Sequence, residues 1–328
     1  MINSKIESRD FQESFESLNG FNGSISEILE LIDQTQAINR LDVNKISLEM
    51  IDEWLFDKVT HDFVHNSGKF FKLTGCKHGS NLLPIILQPE VGILGFICSK
   101  LNGVLHFLVQ LKNEPGNPSG VQISPTVQAT KSNYSQVHGG KLPEYLEYFI
   151  NDPEKKTIIS IEQSEQAWRY FQKKNENIII FEEHPPSQNN SHLWMTLGQI
   201  RELSKIPLLI NSCTRSVLSH INFKENSFCK KNNYLFSDKD ILKSFEDIRK
   251  LKETSKIVPL VEIKNWERKN GCFKERHDNN FRFIGIDIKA KGREVSEWQQ
   301  PILEEKGKGE YGLIAFKKKN EIYFLWKI

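Results

Sequence analysis

Residues 125–134 read PTVQATKSNY, with six neutral hydrogen-bonding side chains and one formal charge. In extended backbone alternate side chains share a face, so Thr126, Gln128, Thr130 and Ser132 would line one wall. Such a wall suits a ligand rich in hydroxyls and phosphate oxygens, with Lys131 or Arg215 supplying positive charge. The residue types fit a hydrated loop of turn-capping hydroxyls equally well. Turn formers precede the stretch (NEPGNPSG, 113–120), and Gln136, His138 and the Gly139-Gly140 pair follow it.

Several other chemistries have no signal. The sequence contains no GxGxxG leading from a strand into a helix, no Walker loop, no GxSxG elbow and no glutamate-rich Nudix box. His61, His65 and His138 share no helical face, so no metal site is expected. Five cysteines (Cys76, Cys98, Cys213, Cys229, Cys272) are scattered without a CxxC pair, which reads as reduced thiols. Hydrophobic residues make up 38% and charged residues 26%, with a net charge of +2, so neither a nucleic-acid nor a membrane-surface partner is expected. The N-terminus carries no apolar run behind basic residues, and no segment approaches the ~18 apolar residues of a membrane span. A cytoplasmic location is the expectation.

The elements that would position the polar wall follow from periodicity. SISEILELIDQTQAINRL reads as an amphipathic helix capped at Ser24 or Ser26, with Ile28, Leu29, Leu31 and Ile32 inward. Short strands begin near residue 68, and Asn102-Gly103 between apolar runs marks a hairpin. Helices are expected at PEYLEYF, at 164–175 with Ser164 as cap, at TLGQIRELSK and at RSVLSHI; strands are expected at TIISIEQ and IIIF. A charged helix over 237–256 serves as connector. Beyond it the first pattern returns. FRFIGIDIK at 281 matches FFKLTGCKH at 70, QQP at 299 is set against LQP at 87, and GLIAF at 312 matches GILGF at 92. This is a repeat of roughly 220 residues. The second copy stops at the equivalent of Gln110, so PTVQATKSNY has no counterpart and the terminal IYFLWKI is expected to expose a strand edge.

HNSGKFF, LQPEVGILGF, NGVLHFLVQLKNEPGN, VQISPTVQATKSNYSQVHGG, EQSEQAWRYFQKKNENIII, WMTLGQI and NSCTRSVLSHI together closely resemble the NDP-hexose 2,3-dehydratases of deoxysugar biosynthesis. The similarity runs from Trp54 to Ile221 and resumes more weakly from Val258. It implies an α+β fold of tandem Nudix-like modules, each a mixed β-sheet flanked by helices, with the second module incomplete. The implied division is an N-terminal helical lead (1–50), a first module (51–235), a linker helix (236–256) and a truncated second module (257–328). The resemblance further implies a homodimer, no cofactor, dTDP-4-keto-6-deoxyglucose as substrate, and a ketoreductase acting on the 3,4-diketo product. An inactive relative that still binds dTDP-sugars and a Nudix-type nucleotide-sugar hydrolase are the alternatives.

Residue roles carried over by the resemblance begin with Thr130, Lys131, Ser132, Asn133 and Tyr134, which match the sugar-nucleotide stretch. Trp54 matches an aromatic at the pocket mouth, and Gln163, Ser164 and Glu165 match a second ligand motif. Trp266 matches the aromatic of the second module, where Arg293 and Glu294 also fall. The proton-abstracting base is to be sought among Tyr134, His138, Lys112 and Glu114. Lys112 and Glu114 fit a structural ion pair as well, and His138 a turn cap. Trp168 and Trp194 are expected in the core.

Overall fold

The computed structural model describes residues 6–137, 139–151, 156–222, 243, 246–247, 255–277, 281–291, 293–307, 312–318 and 321–325. The chain opens with α1 (Ser8–Glu16) and α2 (Ile25–Ile38). The cap of α2 is Ser24: its hydroxyl accepts from the Glu27 amide, and Glu27 accepts from the Ser24 amide. These reciprocal bonds satisfy two of the four donors that a helix start leaves open. Five strands follow: β1 (Leu41–Ile46), β2 (Trp54–Phe56), β3 (Phe63–His65), β4 (Lys72–His78) and β5 (Asn81–Leu87). Then come β6 (Gly92–Leu101), β7 (Val104–Asn113), β8 (Val121–Ser124), β9 (Val127–Ala129), α3 (Lys131–Tyr134) and α4 (Glu147–Ile150). Next are β10 (Thr157–Ser164), β11 (Lys174–Phe181), β12 (His192–Met195), α5 (Leu197–Leu203) and α6 (Ser212–Leu218). The C-terminal part holds β13 (Lys256–Val258), β14 (Trp266–Lys269), β15 (Cys272–Glu275), β16 (Phe281–Ala290), β17 (Glu297–Glu305), β18 (Ile314–Lys318) and β19 (Glu321–Leu325).

A seven-stranded mixed sheet is the centre of the molecule, in the order β10-β11-β6-β7-β12, with β8 on β7 and β9 on β6. Only the β11–β6 pair within it is parallel. Asn102 and Gly103 both take positive φ at the β6–β7 turn, as the Asn-Gly signal predicts. The two strands pair from that turn as far as Ile97 and Leu108, then part. Past the fork β9 takes over the edge of β6 and β8 that of β7. One face buries Leu94, Phe96, Phe107, Val109 and Ile179 beneath residues of α1, α2, α5 and α6. The other buries Ile93, Ile97, Leu108 and Ile178 with Val127, Phe149 and Trp194. The alternation along β6 places these clusters on opposite faces.

Two five-stranded sheets flank it and share one plan. The first runs β13-β4-β3-β2 with β5 on β4; the second runs β1-β16-β15-β14 with β17 on β16. Each takes one strand from the other half of the sequence: Val258 lies opposite Gly75, and Ile46 opposite Gly285. Glycine is what permits the approach. A Cβ on Gly75 would stand 2.8 Å from the Val258 carbonyl oxygen, and one on Gly285 would stand 3.0 Å from the Ile46 oxygen. Pro84 faces Gly75 as Pro301 faces Gly285. The counterpart of QQPIL is therefore LLPII at 82–86, and the expected match of QQP with LQP at 87 is corrected. The shared Gln-Pro pair misleads because the hydrogen-bond ladder sets register.

The helix expected over 164–175 does not form. The Ile86 amide donates to the Arg169 carbonyl, and the Phe171 amide donates to the Ile86 carbonyl, both at 2.9 Å. The open edge of β5 thus captures a segment whose periodicity alone favours helix, a tertiary override of propensity. Trp168, expected in the core, is 49% exposed, with its ring edge-on to Phe281. Trp194 is fully buried. Residues 6–50 contain β1 as well as two helices. The expected connector helix lies outside the described residues apart from Lys243, Glu246 and Asp247, which are helical. Among the described residues, no helix is long and apolar enough to cross a membrane.

Candidate functional site

The fork between β6 and β7 explains Thr126. Its hydroxyl donates to the Leu108 carbonyl and accepts from the Ile97 amide at 3.0 Å, joining the two strands where they separate. Thr126 is 1% exposed, so it is part of the sheet and not the first residue of an open wall. The alternation expected from extended backbone fails after Ala129, where α3 begins with Thr130 as its cap residue. The Thr130 and Ser132 hydroxyls lie 2.8 Å apart, and Thr130 also bonds Asn133 Oδ1 at 3.2 Å. Tyr134 packs against the cluster that contains Ile93, Val127 and Trp194. Burial, then the charges of Glu90 and Glu176, raises its phenol above the ordinary tyrosine value. Lys131 is exposed, and His138 lies outside the described residues.

Gln128 leads in the other direction. Its amide nitrogen donates to both oxygens of Glu114, at 3.2 and 3.1 Å, and its amide oxygen accepts from Asn211 at 2.9 Å. Asn211 is also the cap of α6, accepting from the Thr214 amide at 2.8 Å, and it donates to Ser124 at 2.8 Å. The preceding residues run beside β8, with the Asn211 amide bonded to the Ile123 carbonyl. Capping chemistry and strand pairing thus hold α6 over the diverging strands. Lys112 is buried and donates to the Gln128 carbonyl at 2.8 Å; its distance to Glu114 is 3.8 Å. The ammonium is satisfied mainly by backbone, so Lys112 and Glu114 do not form a tight ion pair.

The captured segment adds further groups. Asn175 donates to Glu165 at 2.7 Å. Burial raises the Tyr170 phenol above its ordinary range; the charge of Glu165 adds to this, Arg169 opposes it, and Glu114 adds a smaller rise. The Cys213 thiol is pushed up to about 12 by burial, with Glu114 and Glu165 adding to the shift. Two carboxylates therefore act on one phenol and one thiol, beside Lys112 and Gln128. Tyr170 and Cys213 would both be neutral at pH 7. Sequence reading misses Tyr170, which falls within the helix expected over 164–175, Cys213, which reads as a scattered thiol, and Asn211; no local spacing links them to Glu114.

Other expected site residues are dispersed. Gln163 accepts from Ser216 at 2.7 Å and contacts His220 Nε2 at 3.2 Å; Ser164 is exposed at the end of β10. Arg215 is exposed and reaches the Ser204 carbonyl at 3.4 Å. Trp54, expected at a pocket mouth, is 8% exposed and packs against Phe63, His65, Phe70 and Phe71. Trp266 is 4% exposed among Phe273, Phe281 and Phe283. Both are core residues at equivalent places in the two small sheets, with no open face on which a base could stack. Among the described residues no three metal-binding side chains converge.

Comparison with known proteins follows the same residues. The NDP-hexose 2,3-dehydratase family model matches residues 25–221 and 238–328. A dTDP-4-dehydro-6-deoxy-alpha-D-glucopyranose 2,3-dehydratase of Amycolatopsis orientalis is 36% identical over 293 residues, 85% of this chain and 60% of that protein. The enzyme of the same name from Saccharopolyspora spinosa is 32% identical over 305 residues, 84% of this chain and 62% of that protein. The chain thus spans about three-fifths of the length of these relatives. The crystal structure of an ADP compounds hydrolase is 8% identical, with a TM-score of 0.30, covering 55% of this chain and 90% of that one. A likeness so low carries no argument. By sequence, the chain belongs to the NDP-hexose 2,3-dehydratase family.

Proposed function

We propose that the chain removes water across C2 and C3 of dTDP-4-keto-6-deoxyglucose, yielding a 3,4-diketo-2,6-dideoxy sugar nucleotide. Family membership supports the reaction class, and the cluster Lys112–Glu114–Gln128–Glu165–Tyr170 supports the place. The 4-keto group acidifies the C3 hydrogen. Glu114, held by Gln128, takes that proton, and the electrons pass into the C4 carbonyl to give an enolate. Lys112 and the Gln128 amide supply positive charge and dipole near the developing oxyanion. The C4 carbonyl then re-forms, a C2–C3 double bond appears, and the C2 hydroxyl departs as water with a proton from Tyr170. The resulting C3 enol tautomerises to the ketone. No hydride moves, so the step itself calls for no redox cofactor.

In this reading α3 (Lys131, Ser132, Asn133, Tyr134) with its cap Thr130 and the Gln163–Glu165 segment border the sugar nucleotide, and His138 is a further candidate. The chain is read as tandem Nudix-like modules, 51–235 and 257–328, joined by 236–256; the common plan of the two small sheets supports this. A cytoplasmic homodimer delivering product to a ketoreductase completes the proposal. The test is incubation with dTDP-4-keto-6-deoxyglucose, a 3-ketoreductase and NADPH. A 2,6-dideoxy product is expected. Binding without turnover would identify an inactive binder, and release of dTMP a hydrolase.

A further inference from the structure

One buried amide beside the acid–base cluster transfers no proton and carries no charge. Within β11, Asn175, Asn177, Ile179 and Phe181 alternate onto one face. Ile179 and Phe181 belong to the core beneath the helices, so Asn175 and Asn177 lie on the same covered side. They are 8% and 0% exposed. Amides in such a place are costly unless they are bonded. The Ser216 hydroxyl donates to Asn177 Oδ1 at 3.0 Å. Asn175 turns to the cluster instead, where its Nδ2 donates to Glu165 Oε2 at 2.7 Å.

Both partners of that bond are held in place. The Glu165 amide donates to the Lys173 carbonyl at 2.9 Å, which carries the β10–β11 ladder one step past Ser164 and Lys174. The Gln166 amide donates to Glu165 Oε1 at 3.2 Å. Asn175 lies opposite Gly92 in the parallel β11–β6 pair, and a Cβ on Gly92 would stand 2.5 Å from Asn175 Oδ1. The absent side chain is the seat of the amide. A methyl there would push the amide off Glu165, because asparagine is too short to yield at its tip alone. We propose that Asn175 is a positioning residue for the dehydration: seated over Gly92, it fixes the Glu165 carboxylate within the acid–base cluster. The assignment rests on the dehydratase reading. The place of that carboxylate matters to Tyr170. Four groups act on the phenol: Glu165 at the end of β10, Arg169 from the captured segment, Glu114 at the end of β7 and Cys213 from α6. Glu165 has the largest effect of the four, and its negative charge opposes ionisation of the phenol. A carboxylate free to swing away no longer keeps Tyr170 protonated as pH rises.

The experiment is the pH dependence of kcat for the full chain, followed through the neutral and alkaline range with the ketoreductase in excess. In Asn175→Ala, kcat is expected to fall about tenfold or more with KM changed less than about twofold, since a misplaced carboxylate costs rate and not binding. The alkaline fall of kcat should also move to lower pH, because a phenol relieved of the Glu165 charge loses its proton earlier. Gly92→Ala should act in the same direction. Gly92→Ala/Asn175→Ala should be no worse than Asn175→Ala alone, as two changes that act through one contact are not additive. The circular dichroism spectrum should not change; if Asn175→Ala does not fold, Asn175→Ser is read in its place. An alkaline limb that stays put, or effects of the two changes that add, overturns the assignment and leaves the dehydratase reading standing. No turnover by the wild-type chain defeats both together.

Discussion

At the scale of single residues, the Glu114 carboxylate and the Gln128 amide meet, and the charges of Glu114 and Glu165 act on the Tyr170 phenol although it is distant from Glu114 in sequence. Glu114→Gln keeps the shape of the side chain but removes the proton acceptor. Turnover is expected to fall about 10²–10⁴-fold with little change in KM, measured by coupled assay. Tyr170→Phe should lower kcat by about 10²-fold if the phenol protonates the leaving hydroxyl; unchanged kcat would remove it from the mechanism. Glu144 offers a pH test. Its hydrogen bond to His192, with help from Asn189 and Ser191, holds the carboxyl down to about 2 from 4.5. The folded value is the lower one, so the ionised group contributes stability above pH 4.5, and that contribution is lost as pH falls towards 2. The gap in melting temperature between wild type and Glu144→Gln should be constant above pH 4.5 and close below it.

Elements are held by a few backbone satisfactions that composition does not reveal. Thr126 bridges the strands at the fork, and Thr126→Val would leave the Leu108 carbonyl and Ile97 amide short of a partner in a dry interior. The expected loss is about 1–3 kcal/mol in denaturant unfolding. Gly75→Ala would set a methyl 2.8 Å from the Val258 oxygen and force β13 away from β4. A cost of about 1–3 kcal/mol is expected, with faster amide exchange confined to β13 and β4. A cost below a few tenths of a kcal/mol would mean that β13 does not rely on that approach. The capped helix at Ser24, the Asn-Gly hairpin and the apolar strands were legible locally, because each follows from a short-range rule. The 165–173 segment was not, since its partner is the edge of β5, some eighty residues earlier.

Over the whole molecule, reciprocal strand exchange makes the two halves depend on each other. β1 completes a sheet built from residues 266–305, and β13 completes one built from residues 54–87. The central core also needs Phe11, Ile28 and Ile32 from the first two helices. A fragment spanning 51–235 lacks all of these. It is expected to show no cooperative unfolding transition, whereas the full chain should; a cooperative transition in the fragment would show that exchange and helices are dispensable.

Sequence alone determined the family and the polar stretch that includes Gln128, because these reside in contiguous residues and their spacing. Tertiary structure alone decided that Thr126 is internal, that Trp54 and Trp266 are core, and that Tyr170 and Cys213 share an environment with Glu114 and Glu165. The physical reason is that side-chain partners are chosen by where strands diverge and which edges remain unpaired. Those choices depend on residues far away in the chain.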